Sequence, residues 1–354
     1  MSSIVKRAGF LIVGIGETKI SKTEQKFLKH PAVAGVILSK HNYHDKSQIT
    51  ELIEALHGIK PGFIVSADHE CQIVQRFKKG FTTLPIPMDI GRYYDIDKDA
   101  ALKTAYAYGV VVGAEMREIN MDLSYLPVMD VMYSMTSKDL TGAIKERAFH
   151  NNPGAVTELS KAVVTGLHNS SLPACGKHFP GHGSVPGDTH TDIIRDPRTW
   201  SEIEAHDLYP FAEMIEKKYL DCIMLSHIVY EAVCDAPASL SEHWIKVVLR
   251  EQLGFDGVVC TDDLDMVGSG NVDSATLKKA MDAGCDLLLI CQRKVSELQQ
   301  LISDFSDDEI DHYNRLSSEH LGIIDTHIHN RIPSGSKAYE DAVAVLNNLN
   351  NRVG

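Results

Sequence analysis

The chain has 354 residues, 44% of them hydrophobic and 23% charged, with a formal net charge of -13. These are values of a folded globular chain rather than a disordered one. The acidic balance argues against a nucleic-acid or anionic-membrane partner, which would want clustered Lys and Arg to displace counterions.

Near the N-terminus, Lys6-Arg7 and the apolar run "AGFLIVGIG" imitate a secretory signal. The run is short and glycine-rich, and Glu17-Thr18-Lys19 follows it without a small-x-small cleavage site, so it reads as a first strand. Seven further runs rich in Val, Ile and Leu end abruptly in a polar residue or glycine: "GVILSKHN", "FIVSADHE", "MDLSYLPVMD", "ACGKHFPG", "CIMLSHIVY", "GVVCTDDLDM" and "DLLLICQ". Between the runs lie amphipathic segments such as "HDKSQITELIEALHG", "DIDKDAALKTAYAYGVVVGAEMREI" and "NPGAVTELSKAVVTGLHN", each opening near Asp, Asn or Pro. Strands alternating with helices pair in parallel, and eight such units predict an α/β fold, a (β/α)8 TIM-type barrel. The barrel is expected to occupy residues 1–354 as one domain, with 333–354 as a C-terminal helical tail; a doubly wound open sheet is the alternative. No stretch approaches the roughly 20 apolar residues of a membrane helix. Seven cysteines, with no CxxC pair and mostly inside apolar runs, suit a reducing compartment, so a cytoplasmic location is expected.

Barrel enzymes place their chemistry where the strands end. Here those positions hold Lys40-His41-Asn42, Asp68-His69-Glu70, Asp130, Lys177-His178, Ser226-His227 and Asp262-Asp263. The segment "KHFPGHGSVPGDTHTD", Lys177 to Asp192, concentrates three histidines and two aspartates. His178, His182, Asp188, His190 and Asp192 are zinc-ligand types, but Pro180 and Gly181 forbid the regular helix that an HxxxH zinc motif needs. A second decoy, "IIDTHIHN", has the HxH pattern of metal-dependent amidohydrolases at His327 and His329, yet follows the eighth strand where that family has it on the first. No metal and no cofactor are expected. What remains is acid–base work: in Asp188-Thr189-His190 the outer side chains share one side of an extended backbone, so the carboxylate can orient the imidazole.

Several segments together resemble glycoside hydrolase family 3, and within it the compact, single-domain bacterial β-N-acetylglucosaminidases. Lys177 to Gly183 reads K-H-F-P-G-H-G, followed after Ser184 to Gly187 by Asp188-Thr189-His190, where the family has D-S-H. "HPAVAGVILSKHNY", "DHECQIVQRF", "LSYLPVMDV", "ERAFHNNP", "MLSHIVYEAVCDAPASLS" and "LGFDGVVCTDDLDM" resemble further family segments in the same order. The resemblance implies that Asp262 is the nucleophile, His190 the general acid/base and Asp188 its partner. It implies that Asp68, Arg76, Arg147, Lys177 and His178 hold the sugar. The implied reaction is retaining, two-step removal of a terminal N-acetylglucosamine, with cell-wall muropeptides in peptidoglycan recycling as the substrate. The carbohydrate is the expected partner of a monomeric chain; a β-glucosidase, or a phosphorylase using phosphate in place of water, is the alternative. Three departures stand out: Cys71-Gln72-Ile73 in place of paired glycines and an arginine, Ser184-Val185 in place of Asp-Thr, and Asn152 in place of the aspartate before Pro153. Asp263 is expected to support the site rather than attack, His182 to be a structural donor, His227 a rim residue, and Trp200 and Trp244 to offer no sugar platform.

Overall fold

Eight parallel strands form the centre of the computed structural model, which describes residues 7–133, 142–326 and 331–353. They are β1 (Leu11–Val13), β2 (Val33–Leu38), β3 (Ile64–Ala67), β4 (Leu123–Ser124), β5 (Cys175–Phe179), β6 (Cys222–Leu225), β7 (Val258–Asp263) and β8 (Leu287–Ile290). Their lateral order is β4-β3-β2-β1-β8-β7-β6-β5, so the first strand lies beside the last, with Leu11 opposite Leu288 and Val13 opposite Ile290. Parallel bridges Ser124–Ala174 and Val128–Lys177 join the remaining edges, β4 and β5. The sheet therefore rolls into a (β/α)8 barrel, and the open doubly wound sheet is set aside. Along that seam the Cys175 N–H donates to the Leu126 carbonyl at 2.8 Å, and the Lys177 N–H to the carbonyl of Pro127 at 3.1 Å. Pro127 itself has no N–H to return, and regular pairing in β4 is confined to two residues.

One sequence expectation needs refining. "CIMLSHIVY" reads as a single strand, but β6 stops at Leu225, and Val229–Tyr230 instead pairs with Arg195–Asp196 in a separate ribbon. Its apolar character continues because Ile228, Val229 and Tyr230 are buried as well, outside the barrel.

The helices start where a side chain can satisfy their orphan N–H groups. Asp45 caps Lys46–His57, Asp97 caps Lys98–Glu118, Asn152 caps Pro153–Asn169 and Asp273 caps Ser274–Ala283, each oxygen accepting from the backbone three residues on. Asn152 thus supplies the capping oxygen that the family's aspartate would. Inside the barrel, Ile12, Ala34, Ile64, Leu123, Tyr125, Val258, Leu287 and Leu289 interdigitate. The turn Leu321–Asp325 closes the end at which the strands begin, with Leu321 and Ile324 packed on that interior group. There Arg7 bonds to Asp325 and Asp122 at 2.8 and 3.1 Å. A last helix, Lys337–Val353, lies along Lys98–Glu118, and the Tyr339 hydroxyl donates to buried Glu115 at 2.7 Å. Among the described residues, no helix is long and apolar enough to cross a membrane.

Candidate active site

At the opposite end, where the strands finish, a cavity of about 310 Å³ opens between the loops. Asp68 and Arg76 reach it from the loop after β3, Asp262 and Asp263 from the end of β7, Cys291 and Gln292 from beyond β8, and His190 from the loop after β5. Asp68, Arg76, His190 and Asp262, four of the residues singled out in the sequence, therefore share one cavity.

Lys177, Arg147 and His178 stand behind that wall. The Lys177 ammonium donates to Asp68 at 2.9 Å and to Glu70, while Arg76 reaches the other Asp68 oxygen at 3.2 Å. Arg147 grips both oxygens of Glu70, at 2.9 and 3.0 Å. The result is a row of alternating charges, Arg76–Asp68–Lys177–Glu70–Arg147, most of it out of contact with water. Burial alone would raise the pKa of Asp68, but Lys177 and Arg76 hold it far below the usual carboxylate range; Glu70 is lowered as well, Arg147 and Lys177 outweighing its burial. Burial would likewise discharge Lys177, and the two carboxylates reverse that, raising its pKa. Asp68 thus presents a fixed negative charge beside the Arg76 guanidinium, a pairing that can accept from and donate to adjacent sugar hydroxyls.

Asp262 is placed by a second chain of contacts. Asp130 accepts from the His178 and His182 backbone N–H groups at 3.1 and 2.7 Å, and its other oxygen lies 2.7 Å from His178 Nδ1. That bond leaves His178 Nε2 facing Asp262, 3.9 Å away. Burial works against ionisation of Asp262, but His178, His227 and Lys177 outweigh it and hold its pKa below normal. Asp263 differs. Its carboxylate accepts from the Asp265 and Cys291 backbone N–H groups at 3.1 and 3.0 Å, tying β7 to the loop after β8, and burial raises its pKa. His227 sits beneath, with Ser239 2.7 Å from Nδ1 and the Asp263 carbonyl 3.0 Å from Nε2. Trp244 is fully buried against Phe179, Tyr230 and Trp200, away from the cavity.

His190 and Asp188 are the exposed pair on the loop, with 2.7 Å between His190 Nδ1 and the carboxylate. Burial of Asp188 is outweighed by its hydrogen bonds from His190, which lower its pKa. Between them Thr189 points the other way, into the protein, as alternation along an extended backbone requires. Its hydroxyl meets His182 Nε2 at 3.1 Å, and its carbonyl accepts from the Gly268 N–H at 2.8 Å. Gly268 is needed for that approach: a Cβ there would lie 2.9 Å from the Thr189 Cβ and 3.0 Å from the His227 Cβ. At the loop's base Gly181, at φ +142°, would drive a Cβ within 2.5 Å of Asp207. Thr189, with Glu70 and Asp130, is a contributor that the sequence motifs did not single out for a role. The one signal for Thr189 was its parity within Asp-x-His.

Two expectations arise here. Thr189→Val should leave His182 without its partner, costing about 1–3 kcal/mol. Turnover should fall at nearly unchanged KM, and Thr189→Ser should restore both; steady-state kinetics with urea unfolding would decide it. Second, burial pushes His182 down to about 4 and His69 down to about 3. Between their ordinary pKa of about 6.5 and those values, the unfolded chain binds protons that the folded chain refuses. Stability should therefore be complete above that ordinary value and fall as the solution is acidified through the window, by about 2–3 kcal/mol for His182 alone. Urea midpoints at neutral and mildly acidic pH should show this loss, and His182→Gln should show less of it.

The other departures also find places. Cys71 is buried, its thiol pushed up to about 11 by burial, whereas Ile73 turns outward. The Ser184 hydroxyl donates to the Val131 carbonyl at 3.1 Å. The loop histidines take separate partners, Asp130, Thr189 and Asp188, and His327 and His329 lie outside the described residues.

Residues 5–315 match the family described as the glycosyl hydrolase family 3 N-terminal domain. A relative from Nitrosospira multiformis named beta-hexosaminidase is 40% identical over 288 residues, 80% of this chain and 80% of its own. Another beta-hexosaminidase, from Shewanella frigidimarina, is 36% identical over 298 residues, 84% of this chain and 85% of its own. Among solved structures, NagZ from Neisseria gonorrhoeae in complex with N-trifluoroacetyl-D-glucosamine superposes with a TM-score of 0.81 at 32% identity, covering 97% of this chain and 98% of that one. With a match over most of its length and relatives of this similarity, the chain belongs to glycosyl hydrolase family 3.

Proposed function

We propose that the chain is a retaining exo-β-N-acetylglucosaminidase that removes terminal, non-reducing N-acetylglucosamine, with cell-wall muropeptides as the substrate and peptidoglycan recycling in the cytoplasm as the setting. The observation that carries the reading is one cavity lined by both Asp262, with a pKa held below normal, and His190, whose Nδ1 is committed to Asp188. The beta-hexosaminidase relatives and the neighbour bound to an N-acetylglucosamine analogue support the choice of sugar.

In the proposed reaction, Asp68 and Arg76 hold the sugar's hydroxyls, with Lys177, Arg147 and His178 fixing their positions. Asp262 attacks the anomeric carbon as protonated His190 gives its Nε2 proton to the leaving oxygen, forming a glycosyl-enzyme. Neutral His190 then takes a proton from the incoming water, which releases the sugar with its configuration retained. Asp188 keeps the ring oriented and stabilises its charged form. The chain acts as a monomer in this reading.

The test compares an aryl β-N-acetylglucosaminide with an aryl β-glucoside, each with and without phosphate. Turnover of the first, with sugar rather than sugar phosphate released, is expected. No turnover sinks the proposal; preference for the glucoside or a phosphorylated product redirects it. Activity lost in EDTA and restored by zinc would favour amidohydrolase chemistry instead. His190→Ala should lower turnover by about 10²–10⁴-fold, and least for the best leaving groups.

A further inference from the structure

Three cysteines have no part in the glycosidase reading. Cys175 on β5, Cys222 on β6 and Cys260 on β7 all point into the barrel, packed among Val258, Leu287 and Tyr125. Their sulfurs all lie within 4.8 Å of one another, with Cys222 and Cys260 3.7 Å apart, and all three side chains are buried. A metal bonded to three thiolates at about 2.3 Å spaces the sulfurs of a planar trigonal site by about 4.0 Å. The cluster brackets that spacing without a change of fold.

We propose that Cys175, Cys222 and Cys260 form a trigonal, sulfur-only site for a soft d10 ion, with Cu(I) as its probe. Among the described residues no carboxylate or imidazole joins the three sulfurs, and the surroundings are apolar. Hard ions need oxygen donors, and structural zinc wants a fourth ligand; a three-coordinate thiophilic ion needs neither. As the ion binds, each thiol that becomes a thiolate sends its proton to solvent, and no electron moves. Lys177 lies two residues beyond Cys175 on the same face of β5, its ammonium 5.9 Å from the Tyr125 ring. Met224 lines the sugar cavity and sits opposite Cys260 in the β6–β7 register, so a thioether stands between the open cavity and the thiols.

The simpler account, three buried thiols acting as small hydrophobes, makes the opposite prediction. Reduced, full-length protein would be titrated with Cu(I) without oxygen and in competition with a chromogenic Cu(I) chelator. One retained equivalent, with a thiolate-to-copper charge-transfer band in the ultraviolet, is expected. Cys222→Ala combined with Cys260→Ala should lose both, while Cys291→Ala, at the cavity wall, should keep both. X-ray absorption at the copper edge of the unaltered protein should give sulfur alone in the first shell, a readout independent of whether the variants fold. Copper surrendered entirely to the chelator, binding unaffected by the double variant, or nitrogen and oxygen in the first shell would each overturn the proposal.

Discussion

Asp262→Asn is expected to abolish turnover of an aryl β-N-acetylglucosaminide, lowering kcat by about 10⁴-fold or more, as loss of a nucleophile does elsewhere. The fold should survive. The Asp262 carboxylate accepts one hydrogen bond from its neighbour's backbone N–H at 2.8 Å, and an amide oxygen can do the same. Its other electrostatic neighbours, His178 and His227, are anchored elsewhere, to Asp130 and Ser239. Melting temperature and sugar binding should therefore stay close to those of the unaltered protein. A fluorinated inactivator followed by peptide mass mapping should label Asp262. A label on Asp263 would show that the wrong member of the pair had been assigned, and full activity in Asp262→Asn would defeat the mechanism.

The second large effect is expected on stability, from Glu70→Gln. Glu70 is almost fully buried between the Lys177 ammonium and the fork of Arg147. The amide keeps the shape and removes the charge, leaving two cations face to face where water cannot screen them. Such a loss costs about 3–5 kcal/mol. Urea denaturation should show it, and KM for the sugar should rise because Lys177 and Arg147 no longer hold their places around Asp68. Adding Arg147→Gln restores the balance of charge, so the double variant should lose less than the sum of the single variants. Simple additivity would mean that the row of charges is not coupled.

Much of the barrel is legible in the sequence because a strand buried on both faces reads as an unbroken apolar run that stops at water. All eight runs contain a strand. The boundaries are less legible, since an apolar residue can be buried for another reason: Val229 and Tyr230 extend the sixth run but belong to a ribbon outside the barrel. The helix starts carry explicit chemistry, and Asn152 shows that a cap tolerates exchange of one oxygen-bearing side chain for another. Within the candidate site, the strand-end rule and the family segments select Asp68, Arg76, His190 and Asp262, which meet in one cavity. They do not reveal the partnerships. That Lys177 serves Glu70 as well as Asp68, or that Thr189 pins its loop through His182, depends on residues far apart in the chain or facing the opposite way. The cysteines are the sharpest instance: each reads separately as a small buried hydrophobe, and only the register of three strands brings them together.

The pairing of β1 with β8 has a bearing on how the protein is made. Until Leu287–Ile290 has left the ribosome, Leu11–Val13 has no partner on that side, and a strand edge waits exposed through most of synthesis. Contacts that link such distant segments form slowly, and the waiting edge is open to pairing with another chain. Asp68 and Asp262 come together only in the same late event. A nascent chain truncated before residue 290 should therefore bind no sugar, and cells making this protein rapidly should depend on chaperones that shield its first strands.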